Sequence, residues 1–250
     1  MTGPSTRVAP DSRRSLRTGQ RGIALIMAIL FTAFLSALGL GLILAVFMDR
    51  LATGNMNGSV AMLYAADAGI ELAARDLGET EDWDEVLSGS RPSSFTDGAA
   101  GGVRRLPGGG AVDLTAVTNW LNCGKSANCT AEQMNANSPE RPWGINNPRW
   151  QLYAYGPMAQ LAPLLRPEPC YLAVWIADDG REGDGNPLAD AATGESGHGI
   201  VRVHAETFSF GGWSRAIEAE LERACRGEAA GACLPGIRVQ SWQELRQSVP

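Results

Sequence analysis

Gln20-Arg21-Gly22-Ile23-Ala24-Leu25-Ile26-Met27 opens the run that decides how this chain is built, because apolar sequence continues from it without a formal charge as far as Met48. As a helix rising about 1.5 Å per residue, residues 23–48 reach ~39 Å, enough to cross a ~30 Å hydrocarbon core with some tilt. Backbone polar groups in lipid must pair within their own segment, so a helix is the form expected here. A cleaved signal peptide is the first competitor, but its apolar region runs only ~7–15 residues. Residues 1–22 hold Arg7, Arg13, Arg14, Arg17 and Arg21 against the single acid Asp11, whereas Asp49 and Arg50 cancel at the far end. The excess of arginine predicts residues 1–22 as a cytoplasmic leader, 23–48 as a single membrane span and the rest as exported.

Beyond Met48 an apolar stripe at Met56, Val60, Leu63, Ile70, Ala74 and Leu77 keeps helical spacing. Asp67, Glu71 and Arg75 form a polar row, with Glu71 and Arg75 spaced to pair. One helix is therefore expected from about Ile23 to Leu77, roughly 80 Å long, its 49–77 half backing a globular head. A plain juxtamembrane core helix is the other reading of that half. Gly78 is expected to end the helix in a C′ position.

These residues carry a resemblance. A basic leader, Arg-Gly, then unbroken apolar sequence resembles the type IV pilin-like proteins, in which prepilin peptidase cuts after such a glycine and methylates the new N-terminus. Carried over by position, cleavage falls between Gly22 and Ile23, with Arg21 preceding it. Pilins usually have glutamate at the fifth mature position, where this chain has Met27. Ala65-Ala66-Asp67-Ala68-Gly69-Ile70-Glu71 is similar to the Ala-Ala-Glu-Ala-Gly-Leu stretch of PilX-type minor pilins, so the resemblance covers residues 20–77. It implies a minor pilin acting in type IV pilus assembly, without catalytic residues. The implied partners are other pilins, prepilin peptidase, the inner-membrane assembly platform and the bilayer. It also implies an inner-membrane protein with a periplasmic head, reaching the cell surface if assembled. Met27 fits a low-copy initiating or tip position. A K-type pseudopilin of type II secretion and a membrane-anchored binding module that never enters a filament are the alternatives.

The remaining sequence predicts an α+β fold, with the long helix on an antiparallel sheet. Residues 78–110 read as a short helix over Glu81–Leu87 followed by a Gly/Ser/Pro-rich loop or linker. Gly108-Gly109-Gly110 is no phosphate cradle, because no Lys-Ser/Thr follows it. Residues 111–250 read as the β-rich head. Strands are expected over Val112–Trp120, Trp150–Tyr155, Tyr171–Ile176 (apolar, hence central) and Ile200–Phe208. Trp213–Leu221 answers the last across a turn at Gly211-Gly212, and Ile237–Trp242 forms an edge. His204, alternating with Arg202 and Glu206, is expected to face solvent.

The net charge is −6. With five arginines and one aspartate the leader holds +4, leaving −10 on the remainder, which argues against nucleic-acid binding. Five cysteines all follow the span. Cys123–Cys129 and Cys225–Cys233 are the local disulfide candidates, leaving Cys170 buried or paired elsewhere. No Cys-x-x-Cys occurs and both histidines lie apart from the cysteines, which disfavours zinc. Asp178, Asp179, Glu182, Asp184, Asn186 and Asp190 form an acidic, Gly-containing stretch. Oxygen ligands at alternate positions suit calcium as a cofactor. Pro187 and Thr193 stand where an EF-hand needs glycine and glutamate, so a solvated acidic loop is the competing reading. No Gly-x-Ser-x-Gly, His-Glu-x-x-His or Walker pattern is present. An enzyme would need a cleft joining a histidine to Cys170 or to the aspartates.

Overall fold

The computed structural model describes residues 21–163, 169–209, 212–226 and 234–245. The chain divides into two units, residues 1–55 and 56–250. In the first, the described residues are all helical and form the start of α1 (Arg21–Gly78). The elements that follow are α2 (Asp84–Leu87), β1 (Val103–Arg105), β2 (Ala111–Asp113), α3 (Leu114–Cys123), α4 (Ala131–Asn135), β3 (Gln151–Pro157), α5 (Met158–Leu161), β4 (Cys170–Asp178), β5 (Ile200–Ser209), β6 (Ser214–Arg226) and β7 (Leu234–Leu245).

The second unit is the α+β head. Strands β3 to β7 form an antiparallel sheet in sequence order. The later half of α1 lies on one face, where Met62, Ala65, Ala66, Ile70, Ala73 and Leu77 pack with Leu172, Val174, Val203, Ala205 and Ile217. The buried stripe differs from the expected one at its start. Met56 and Val60 are exposed, and burial begins at Met62. Half of what buries is small. A Cβ placed on Gly69 would sit 2.9 Å from Leu172 Cδ1, 3.0 Å from Val174 Cγ2 and 3.1 Å from Ala205 Cβ. Small residues let the helix backbone approach β4 and β5 closely, and Gly69 marks the tightest point.

Gly78 ends α1 without adopting a left-handed conformation. Side chains satisfy the last turn instead. Thr80 Oγ1 donates to the Asp76 carbonyl (2.8 Å) and buried Trp83 Nε1 to that of Leu77 (3.1 Å). Arg75 pairs with Asp76 at 3.0 Å rather than with Glu71.

Two further expectations are corrected. The alternation over Val112–Trp120 is a strand only to Asp113, after which α3 begins. Asp113 caps α3 by accepting from the Thr115 and Ala116 amides (3.0 and 3.3 Å), and left-handed Gly124 (φ 68°) closes it on the Trp120 carbonyl. Leu114, Val117 and Leu121 then share a helical face against the sheet. Residues 88–110 are not a linker. The Ser93 amide donates to the Tyr153 carbonyl and the Tyr155 amide to that of Phe95, each at 2.9 Å, which covers the outer edge of β3. β1 and β2 pair as a small hairpin.

The β5–β6 hairpin and the edge position of β7 are as expected. Strand β4 is interior and buried on both faces, although β5 is the middle strand.

Gly69→Val should destabilise the protein by about 1–3 kcal/mol or more through overpacking. Gly58→Ala, with nothing within 4 Å of the added methyl, should stabilise it by up to about 1 kcal/mol. Urea unfolding of the full chain in micelles checks both signs; equal effects would refute the close approach.

Candidate functional site

The first candidate is the surface of α1 itself. From Ile23 to Met48 every large apolar side chain is at least 49% exposed. The two hydroxyls in the run turn inward. Thr32 Oγ1 donates to the Ile29 carbonyl (2.9 Å) and Ser36 Oγ to that of Thr32 (2.8 Å). No side chain in this stretch therefore asks for an outside polar partner. The helix is long and apolar enough to cross a membrane. Gly22 and Ile23 lie at its start, and nothing lies within 4 Å of a Cβ added to Gly22. Met27 is exposed like its neighbours.

The second candidate is the acidic loop after β4, which is solvated at Asp184 and Asn186 but buried at its first acids. Asp178, Asp179 and Glu182 are 3%, 3% and 2% exposed, while Asp184 and Asn186 face solvent. Asp179 is paired with Arg181 (3.0 Å), which also reaches Glu220 (3.3 Å). Asp190 accepts from the Gly199 amide (2.7 Å) and lies 3.4 Å from His198 Nδ1. Burial pushes the Asp178 carboxyl well above its usual range, with the Glu182 charge adding to it, and burial likewise raises Glu182. Among the described residues, no three His, Cys, Asp or Glu side chains are grouped to hold a metal ion.

The third feature is a buried charged row on the face of the sheet turned away from α1. His204 and Glu206 are 2% and 0% exposed, which corrects the expected solvent position of His204. Alternation placed them correctly opposite Val203 and Ala205, but Trp150 and Trp175 stack edge-on against His204 and close the face over it. His204 Nε2 lies 3.6 Å from Glu206 and Nδ1 3.5 Å from Glu218, which also pairs with Arg202 at 2.9 Å. Burial alone would lower the imidazole pKa, but contact with Glu206 and then Glu218 outweighs it and the pKa rises. Burial would raise Glu218, yet His204 and Arg202 together bring it below its ordinary value. Cys170 is buried in the core on the α1 side of the sheet, so the structure does not join it to His204.

Cys123 and Cys129 form a disulfide. The Cys225–Cys233 candidate lies outside the described side chains, as do leader residues 1–20. No family model, curated protein or solved structure matches this chain.

His204→Ala should cost about 3–5 kcal/mol, because it strands buried Glu206 without a cation. The pH dependence has a definite sign. A raised His204 contributes stability in full below about pH 6.5, and that stability is lost as pH rises through the folded value. A depressed Glu218 contributes above about pH 4.5 and is lost as pH falls through its lowered value. Denaturant titrations of wild type and His204→Ala should differ most between about pH 4.5 and 6.5. A gap that widens toward alkaline pH would contradict the assignment.

Proposed function

We propose that the chain is a minor, PilX-like pilin, held in the inner membrane by α1 before it enters a type IV pilus. The observation that carries this reading is the uncharged surface of residues 23–48, whose large side chains are all exposed. An apolar surface of that extent is not left in water; it is covered by lipid or by other apolar helices. Lipid and a helix-bundled filament core offer that cover in turn. Arginine is costly to bury in an apolar fibre, so removal of residues 1–22 at Gly22 precedes assembly on this reading. The positive-inside rule supports a cytoplasmic N-terminus and a periplasmic head. The Ala-Ala-Asp-Ala-Gly stretch adds support, since its small residues let α1 approach the sheet closely. The head contributes structure rather than catalysis.

A second reading is favoured by Met27. Without a carboxylate at that position, the subunit lacks the charge-assisted bond to a neighbour's terminal amine that assembled pilins are thought to use. A permanently anchored binding module would have no need of it. Intact-mass analysis and N-terminal sequencing of the membrane-extracted protein separate the two. A chain beginning at methylated Ile23 is expected for the pilin. One beginning at Met1 or Thr2, absent from sheared filament fractions, would overturn it.

A further inference from the structure

Glu182 is 2% exposed, and its oxygens face Asp178 and the Ala191 amide without completing a hydrogen bond of normal geometry. Asp178 is 3% exposed and its Oδ1 has no partner either. Asp190, close enough to act on both, adds a third negative charge. Among the described residues no arginine, lysine or histidine forms an ion pair with Asp178 or Glu182. Arg181 is committed to Asp179 and Glu220, and His198 lies against Asp190. A carboxylate withdrawn from water without a cation costs several kcal/mol.

A third oxygen comes from a distant part of the chain. Asn146 Nδ2 donates to the Glu182 carbonyl, while its Oδ1 is buried and unpartnered. The same segment brings Trp143 onto Gly180, where an added Cβ would lie 2.7 Å from the indole. The loop is thus packed against residues 143–146 through Gly180 and the Glu182 carbonyl. Its Glu182 side chain lies against Gly197, where an added Cβ would sit 2.9 Å from Oε1, and the paired acid Asp179 is committed elsewhere.

We propose that Asp178, Glu182 and Asn146 Oδ1 bind a calcium ion, with water completing its shell. The chemistry is that of a hard cation. All three donors are oxygens, two are carboxylates, and a double positive charge balances them. The expected ligand set narrows accordingly, because Asp179 is held by Arg181 and Asp184 and Asn186 face solvent. With only two carboxylates in the shell, the affinity falls in the weak class of extracellular modules, about 0.1–1 mM. This inference does not depend on the chain entering a filament.

The test uses the full chain in detergent micelles near neutral pH. Calcium at roughly ten times its dissociation constant should raise Tm by about 3–6 °C over the chelated protein. Terbium should show luminescence excited through Trp143, displaced by calcium. Glu182→Gln should abolish both responses, and Asp184→Asn should leave both intact. Far-UV circular dichroism checks that the Glu182→Gln chain folds; if it does not, Asp178→Asn takes its place. An unchanged wild-type Tm at about 5 mM calcium would overturn the site in favour of a proton shared by the two carboxyls. Terbium emission that persists in the folded variant would also overturn it.

Discussion

The head depends on how closely α1 can lie on its sheet. Ala65, Ala66, Gly69 and Ala73 present almost no side chain to β4 and β5, so the contact is made by the helix backbone against branched side chains from the strands. Leucine at those positions would hold the layers apart and open voids beside Val174 and Ala205, and protein interiors do not tolerate voids cheaply. Met62 and Leu77 fill the wider spaces toward either end. Other contacts hold the helix at fixed points. Thr207 Oγ1 donates to the Met62 carbonyl (3.1 Å), and Trp242 Nε1 reaches Asp67 (3.0 Å). The helix is thus tied to β5 and to the edge strand β7 by polar bonds as well as by packing.

Covering the second face of the sheet creates the molecule's other demand. Once α3 and Trp150 lie over β4 and β5, the outward-pointing residues Arg202, His204 and Glu206 are no longer in water. They remain tolerable because each negative charge has a cation beside it. His204 stands between Glu206 and Glu218, and Arg202 completes the row. Breaking such a row is costlier than its net contribution to stability would suggest, since one unpaired charge remains inside. In the acidic loop after β4, Arg181 serves Asp179 and His198 lies by Asp190, but among the described residues no cation pairs with Asp178 or Glu182. That difference is what sets Asp178 and Glu182 apart from the His204 row.

Features set by local pattern were legible in the sequence, and features set by distant segments were not. The apolar run, the all-buried β4 and the β5–β6 hairpin follow from composition, alternation and turn residues. Helix α3 reads as a strand because Val112, Leu114, Ala116, Thr118 and Trp120 alternate. Asp113 and Gly124, which cap its ends, were the stronger signals. Alternation also gave the right face for His204, but it reports only the side of the sheet. Whether that side is wet depends on residues 114–123 and Trp150, far away in the chain. Burial of Glu182 depends likewise on a later turn, where Gly197 packs against its side chain. Glycine and serine made residues 88–110 look like a linker, yet their backbone amides and carbonyls finish the edge of β3.

The apolar half of α1 poses the opposite problem from the head, because nothing in it needs a specific partner. Thr32 and Ser36 return their hydroxyls to the helix, and Met27 puts a thioether where a carboxylate would require pairing. On the proposed reading, such a rod can leave lipid for a bundle of similar helices with little change in polar solvation. The exchange is governed by shape and apolar contact, much as between helices in a bilayer. It also has little preference for one neighbour over another, because specificity comes from groups that suffer when mispaired. A subunit without that discrimination fits a place where few contacts must be matched, such as an end of the fibre, better than a repeated place in its shaft.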